Sequence, residues 1–338
     1  MRLRALVAVA IATDVVMLTL ARQASATDCT AIVSPCIDDD ILWPHAGPSR
    51  FVAIGSTETT GSGRLGFGLV ATYLSRPVVL HVKTPGGAGS DQSAVDNLVN
   101  GTFLWSYGVT RGFELDLAMP VTFFQDGTGL APVTGGYGLN NTATRDLRFG
   151  FTYQLLPKAA GDQGLGVAGR LEVSAPTGDR SQLAAEGWAA FVPSVSADYR
   201  VGAFDVAAEV GARIRPDVHL FGAVIGTQMV TALGVGYDVL PRSLLTATLE
   251  AWALPTFSQQ NDDTVMNGVY TITPNGQHIT PAEWQLSART APIRGGDLSI
   301  QLAGGGALPL SGDVLTEPRF RFTLGIRWAP TSTPTPTP

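Results

Sequence analysis

The sequence predicts an all-β protein, a transmembrane antiparallel up-and-down β-barrel. Three observations carry that expectation. Apolar residues recur at every second position through segment after segment, the connections between segments alternate between short and long, and charged residues make up only 15% of a 338-residue chain that is 45% hydrophobic. Period 2 is the signature of a strand, because successive side chains point to opposite faces. A segment of about 10 residues, at roughly 3.3 Å per residue and a tilt near 40°, covers about 25 Å, the height of an outer-membrane hydrocarbon band. Soluble strands more often stop at about five or six residues.

The first residues read as a signal peptide, 1–26. Arg2 and Arg4 form a positive start, Leu6 to Leu20 an apolar stretch, and Ala24-Ser25-Ala26 a small-residue cleavage site. Residues 27–50 then form a periplasmic N-terminal segment. It holds the two cysteines, Cys29 and Cys36, close enough for one small disulfide loop in an oxidising compartment. Asp38-Asp39-Asp40 beside them lack the alternate spacing of a calcium loop and read as a solvated charge run. No metal site is expected.

The barrel is expected over 51–330. A short strand over 51–55 precedes segments at 65–73, 78–82 and 103–109. Phe113, Leu115, Leu117, Met119, Val121 and Phe123 then alternate with Glu114 and Asp116, and Leu147, Phe149, Phe151, Tyr153 and Leu155 with Arg148 and Gln154. Segments at 165–175 and 191–201 follow, and Phe204, Val206, Ala208, Val210, Ala212 and Ile214 alternate with Asp205, Glu209 and Arg213. Further segments lie at 231–239, 245–253, 284–288 and 298–308. The last, Arg319 to Trp328, places Phe320, Phe322, Leu324, Ile326 and Trp328 on one face and Arg321, Thr323 and Arg327 on the other.

Alternation alone fits a soluble sandwich as well as a barrel, since either can bury one face. Turn lengths separate the two. Short turns at 75–76, 110–112, 202–203 and 241–243, with slightly longer ones at 157–163 and 292–297, alternate with long polar connections at 85–96, 125–144, 178–187, 217–227 and 256–282. Short turns on one rim and long loops on the other belong to an outer-membrane barrel. The count is about fourteen strands, with twelve as the alternative if the first weak hairpin stays outside the barrel. Trp105, Tyr107, Phe113, Phe123, Tyr153, Tyr199, Tyr237 and Trp328 lie toward segment ends, where interfacial girdles form.

The face opposite the apolar one carries charges of both signs. His81, Lys83, Glu114, Asp116, Arg148, Arg170, Glu172, Asp205, Glu209, Arg213, Glu250, Arg321 and Arg327 are the candidate lumen-lining residues. They either line a water-filled pore and set its ion selectivity, or pair across neighbouring strands and fill it. Catalysis is not expected: the chain has four histidines and neither a G-x-S-x-G elbow nor an H-E-x-x-H pair. No cofactor is implied, and a net charge of −6 argues against a nucleic-acid partner.

The stretches "ELDLAMPVTFFQDG", "DLRFGFTYQLL", "GRLEVSAPTGD" and "RFTLGIRWAP" resemble the N-terminal barrel of OmpA-family outer-membrane proteins of delta-proteobacterial type, and the barrels associated with phenol-degradation transport. The likeness spans about residues 50–330. It implies residence in the cell outer membrane among lipid and lipopolysaccharide, and delivery by the barrel assembly machinery. It also implies a role as a porin-like passive channel or a structural OmpA-type barrel. A surface receptor or adhesin acting through the 256–282 loop is the alternative. Members of that family continue into a peptidoglycan-binding domain. The Thr-Pro tail, 331–338, stands where the linker to it would begin, so peptidoglycan tethering is not expected of these residues.

Overall fold

The computed structural model describes residues 29–330 apart from 83–89, 136–137, 160–161, 241–243, 267–268, 291–296 and 312–313. The expected signal peptide and the Thr-Pro tail lie outside the described residues.

Twelve strands form one closed antiparallel barrel. They are β1 (Leu65–Val82), β2 (Ser90–Thr110), β3 (Phe113–Asp126), β4 (Leu147–Leu156), β5 (Gly164–Ala175), β6 (Ala190–Val201), β7 (Phe204–Arg213), β8 (Gln228–Asp238), β9 (Leu245–Ala253), β10 (Ala282–Thr290), β11 (Leu298–Ala307) and β12 (Phe320–Trp328). Each strand pairs with the next, and β12 closes on β1 in a register running from Phe67 opposite Trp328 to Ser75 opposite Phe320. Closure is what lets a sheet stand in lipid, because an open edge there leaves backbone groups unpaired at several kcal/mol each. Among the described residues no helix is long and apolar enough to cross a membrane; the crossing is made by strands.

The two faces are sorted the opposite way from those of a soluble protein. Along β12 burial alternates at every residue: Arg321, Thr323, Gly325 and Arg327 are buried, while Phe320, Phe322, Leu324, Ile326 and Trp328 are exposed. The same inversion runs around the sheet, with Glu114, Arg148, Glu172, Glu209 and Glu250 buried and Leu115, Phe149, Val210, Leu233 and Leu249 exposed. That surface is stable only against hydrocarbon, and it rules out the sandwich. Aromatic rings mark the rims. Phe67, Tyr107, Tyr153, Tyr199, Phe204, Tyr237 and Trp328 are exposed near the short-turn end, and Phe123, Phe191 and Phe320 near the other. At the seam, Phe67 stacks on Trp328 with centroids 5.8 Å apart.

The strand count is the twelve of the alternative and not fourteen, for two local reasons. Ser75-Arg76-Pro77 is not a turn. The partner strand runs past it, with Ser75 opposite Asn97 and Val78 opposite Val95, so 65–73 and 78–82 are one strand interrupted by a bulge. Arg76 takes the left-handed φ of 49° and Pro77 has no amide to donate, which is how a bulge imitates a turn in sequence. The second reason is that 51–55 is not a wall strand: Phe51, Val52 and Ile54 are buried inside the barrel.

Residues 29–60, most of them expected in the periplasm, thread the lumen from end to end. Cys29 and Cys36, joined by a disulfide, sit at the long-loop end, where Ser34 N–H donates to His219 O and Val33 pairs with Leu220. At the other end Gly61 N–H donates to Pro330 O, beside the end of β12. On either side of the bulge, Leu74, Val78, Leu80, Val95 and Leu98 pack with Leu183, Val218, Leu220 and Leu315 from the long loops and with the disulfide, which makes an apolar cap over that mouth.

The parity of turn lengths sets the orientation, and labelling checks it. Both cysteines are engaged in the disulfide, so a single introduced thiol reports cleanly. Cysteines at Asn141 and Gln277, in long loops, are expected to react with a membrane-impermeant maleimide on intact cells, and cysteines at Arg111 and Gly202, in short turns, only after lysis. Labelling of Arg111→Cys on intact cells would invert the topology.

Candidate functional site

The site is the lumen wall together with the segment it holds. Wall strands present Thr72, Asn100, Ser106, Thr122, Ser194, Ser196, Thr248 and Gln301 between the charged residues, all buried. A wall of hydroxyls, amides and charges is one that water could line. A barrel of about eight strands is just narrow enough for wall side chains to fill, whereas one of twelve leaves space for more. Here residues 29–60 occupy that space.

The segment is gripped at each level by charged groups from the wall. Near the long-loop end, Arg321 Nη2 lies 2.7 Å from Asp40 Oδ1 and Arg321 Nε 2.6 Å from Glu283 Oε2, with both wall residues fully buried. Asn100 Nδ2 donates to the other oxygen of Asp40 at 3.0 Å. Asp38 and Asp39 both pair with Arg145. The aspartate run is therefore not a solvated surface, as its sequence suggested; each carboxylate meets an arginine that the fold brings from over 100 positions away.

One level deeper, two guanidinium groups, Arg148 and Arg213, lie over the Trp43 ring, each with its carbon 4.3 Å from the ring centroid. Trp43 Nε1–H donates to Glu172 Oε2 at 2.9 Å. His45 bridges two wall carboxylates, with Nδ1 2.8 Å from Glu172 Oε2 and Nε2 3.4 Å from Glu209 Oε1. Arg327 Nη1 donates to His45 O at 3.1 Å. Glu250 accepts the amides of Val52 and Ala53 at 2.9 and 2.8 Å, and Glu209 accepts that of Gly55 at 2.6 Å. Close to the short-turn end, Arg50 pairs with Asp162 and Asp205, Lys158 with Asp198, and Glu114 accepts the Thr60 amide.

Of the residues expected to line the lumen, Glu114, Asp116, Arg148, Arg170, Glu172, Asp205, Glu209, Arg213, Glu250, Arg321 and Arg327 are buried on the inner face. Most of them hold the threaded segment, and few pair with one another. Asp116 and Arg170 share the Thr152 hydroxyl on the wall, and Arg170 Nη2 also donates to Ser56 O of the segment. His81 is the last residue but one of β1, near the long-loop rim, and Lys83 lies outside the described residues. Sequence reading missed Glu283, although it alternates with Trp284 and Leu286 like its counterparts on other strands. It also missed Trp43, His45 and Arg50, which follow no period at all.

Small wall residues make room for the apolar part of the segment. Phe51 and Ile54 lie against Ala207, Ala232 and Gly234, and a Cβ on Gly234 would stand 2.7 Å from the Phe51 ring. Only glycine leaves that gap.

No family model matches the chain, and no curated protein does. Among solved structures it is similar to an outer-membrane channel from Pseudomonas putida F1, with a TM-score of 0.57, 14% identity, and coverage of 82% of this chain and 99% of that one. Weaker likenesses extend to the NanC porin (TM-score 0.43, 8% identity, 79% and 100% covered) and the toluene transporter TbuX from Ralstonia pickettii (0.39, 11%, 80% and 90%). The chain is an outer-membrane β-barrel. The resemblance to the OmpA family finds no separate support, since these barrels share only the architecture with it.

Proposed function

We propose that the protein is an outer-membrane channel held shut by its own residues 29–60. One observation carries this reading: the lumen is filled by a separate length of chain held through polar contacts, and not by the wall's own side chains. A lumen filled by the wall's own side chains would make the barrel a strut. Here the wall is polar, and several of its buried atoms, including Arg148 Nε, Arg213 Nε and Arg327 Nη2, take no hydrogen-bond partner in the closed state. Incompletely satisfied polar networks are costly, so the closed state is held less firmly than the number of its contacts suggests. Withdrawal of the segment would leave Arg148 and Arg213, with Glu172 and the Arg321–Glu283 pair, around the outer part of the path, a constriction of mixed charge that sets ion selectivity.

Planar-bilayer recording tests the reading. The full chain is expected to stay mostly closed, with brief openings. A chain lacking residues 29–60 is expected to conduct steadily, at least tenfold more. Gly234→Val, which drives a side chain into the space of Phe51, should lengthen the openings while leaving heat-modifiable gel mobility intact. A folded deletion variant that conducts no more than the full chain would refute the channel.

A further inference from the structure

At the outer end of the seam where β12 closes on β1, the fold sets two arginines side by side. Arg76 sits on the bulge with its side chain 57% exposed, and the inner face at that height is taken by Leu74 and Val78, both fully buried, so the arginine stands outside the wall. Arg319, the residue before β12, is also exposed, and its amide donates to Ser75 O at 2.8 Å, which places it against the same bulge. Like charges on facing strands are destabilising. The protein offsets them little: Asp96 meets Arg76 only at 3.9 Å with its own side chain 45% exposed, and among the described residues no carboxylate lies within ion-pair distance of Arg319.

Depth identifies what faces them. Phe320 and Trp328 are the two ends of β12, and at roughly 3.3 Å per residue and a tilt near 40° they differ in height by about 20 Å, most of a hydrocarbon band. Phe320 packs edge-on against Tyr73 with centroids 5.6 Å apart, and the Tyr73 hydroxyl donates to Asn97 Oδ1 at 2.7 Å. Aromatic rings with a polar tip mark the boundary between hydrocarbon and head groups. Arg76 and Arg319, immediately above that boundary on the long-loop side, therefore stand at the depth of the outer-leaflet phosphates. The planar fork of a guanidinium matches phosphate oxygens with parallel N–H donors.

We infer that Arg76 and Arg319 form a binding site for a phosphate of lipopolysaccharide, with Tyr73 and Phe320 beneath it against the acyl chains. The bound lipid would fasten the seam where the β12–β1 ladder ends, at Ser75 opposite Phe320, and where the bulge shifts the register of β1 against β2. The site lies on the lipid side of the wall and takes nothing from the threaded segment. It holds whether or not the lumen conducts.

Lipid A carrying both of its phosphates is the probe, and native mass spectrometry of the folded barrel in detergent, with EDTA present, reads its binding. The full chain is expected to retain one lipid A, held roughly tenfold more tightly than the dephosphorylated form, as loss of charge-assisted hydrogen bonds requires. Arg76→Gln with Arg319→Gln should remove that preference. Arg180→Gln, on another loop of the same rim and bonded to its own Pro176 O, should leave it unchanged, and Asp96→Asn should tighten binding severalfold by freeing Arg76 of a competing carboxylate. Gel mobility before and after boiling checks that each variant folds. Should the double variant fail that check, Arg319→Gln alone is expected to lose part of the preference. Binding that ignores the phosphates, or that survives the double substitution, would overturn the site. Displacement of lipid A by an equal concentration of inorganic phosphate would overturn its assignment to a lipid, and loss of binding in EDTA would give the contact to a bridging divalent cation instead of the arginines.

Discussion

Replacing Arg321 by methionine is expected to destabilise the barrel by about 3–5 kcal/mol, the usual cost of removing one partner from a buried ion pair. Arg321 is fully buried, and so is Glu283, which it meets through two hydrogen bonds at 2.6 and 2.9 Å from a strand two places away in the sheet. Methionine fills much of the volume but leaves two carboxylates, Glu283 and Asp40, without their cation. The pair on the wall and the contact with the segment separate cleanly. Arg321→Met with Glu283→Gln should recover a large part of the loss, because no charge is then stranded on the wall. Asp40→Asn alone should leave the urea midpoint of the barrel nearly unchanged and instead increase channel opening. Urea titrations of the three variants, followed by tryptophan fluorescence in lipid vesicles, give the differences directly. If Arg321→Met unfolds at the same urea concentration as the parent, the pair contributes nothing to the wall.

Leu324→Arg is expected to cost about 2–4 kcal/mol and to abolish heat-modifiable folding and surface delivery, since it puts a charge on the lipid face near mid-depth. Leu324 is the fifth residue of the nine in β12, between Ala71 of β1 and Leu302 of β11. Thr323→Arg, one residue earlier, points inward and should behave differently. An open lumen would have accepted it without consequence. Thr323 is instead 1% exposed and hydrogen-bonded toward Gln285, so a new arginine there competes for the space of residues 29–60. The barrel should assemble with normal gel mobility, while the threaded segment becomes accessible to protease and conductance rises. Failure of Thr323→Arg to assemble, to the same degree as Leu324→Arg, would mean that both faces of β12 are packed against a fixed core.

The wall was legible because each of its strands repeats one local rule. With a side-chain period of two, a run such as Phe320 to Trp328 or Leu147 to Leu155 declares its two faces wherever it occurs, and turn parity then assigns lipid to the apolar one. The rule misleads where a local feature imitates a boundary. Ser75-Arg76-Pro77 carries turn chemistry, and only the partner residues Val95 and Asn97, some 20 positions on, show that the strand continues. It misleads again at 51–55, whose apolar residues are buried by a wall they do not belong to.

Apart from the Cys29–Cys36 disulfide, the threaded segment could not be read. Its residues 38–50 mix aspartates, Trp43, His45 and two prolines without a period, because their conformation is dictated by partners and not by a repeating backbone. Asp40 finds Arg321 across 281 positions, Trp43 finds Glu172 across 129, and Val52 finds Glu250 across 198. By itself, then, the sequence determined a membrane barrel with charges of both signs on its inner face, since backbone periodicity and the burial preference of each side chain are local properties. Whether those charges face water or chain, and that Arg148 and Arg213 close on one ring, was decided only by the tertiary structure, because closing the sheet is what brings distant residues to a common height within a lumen of fixed width.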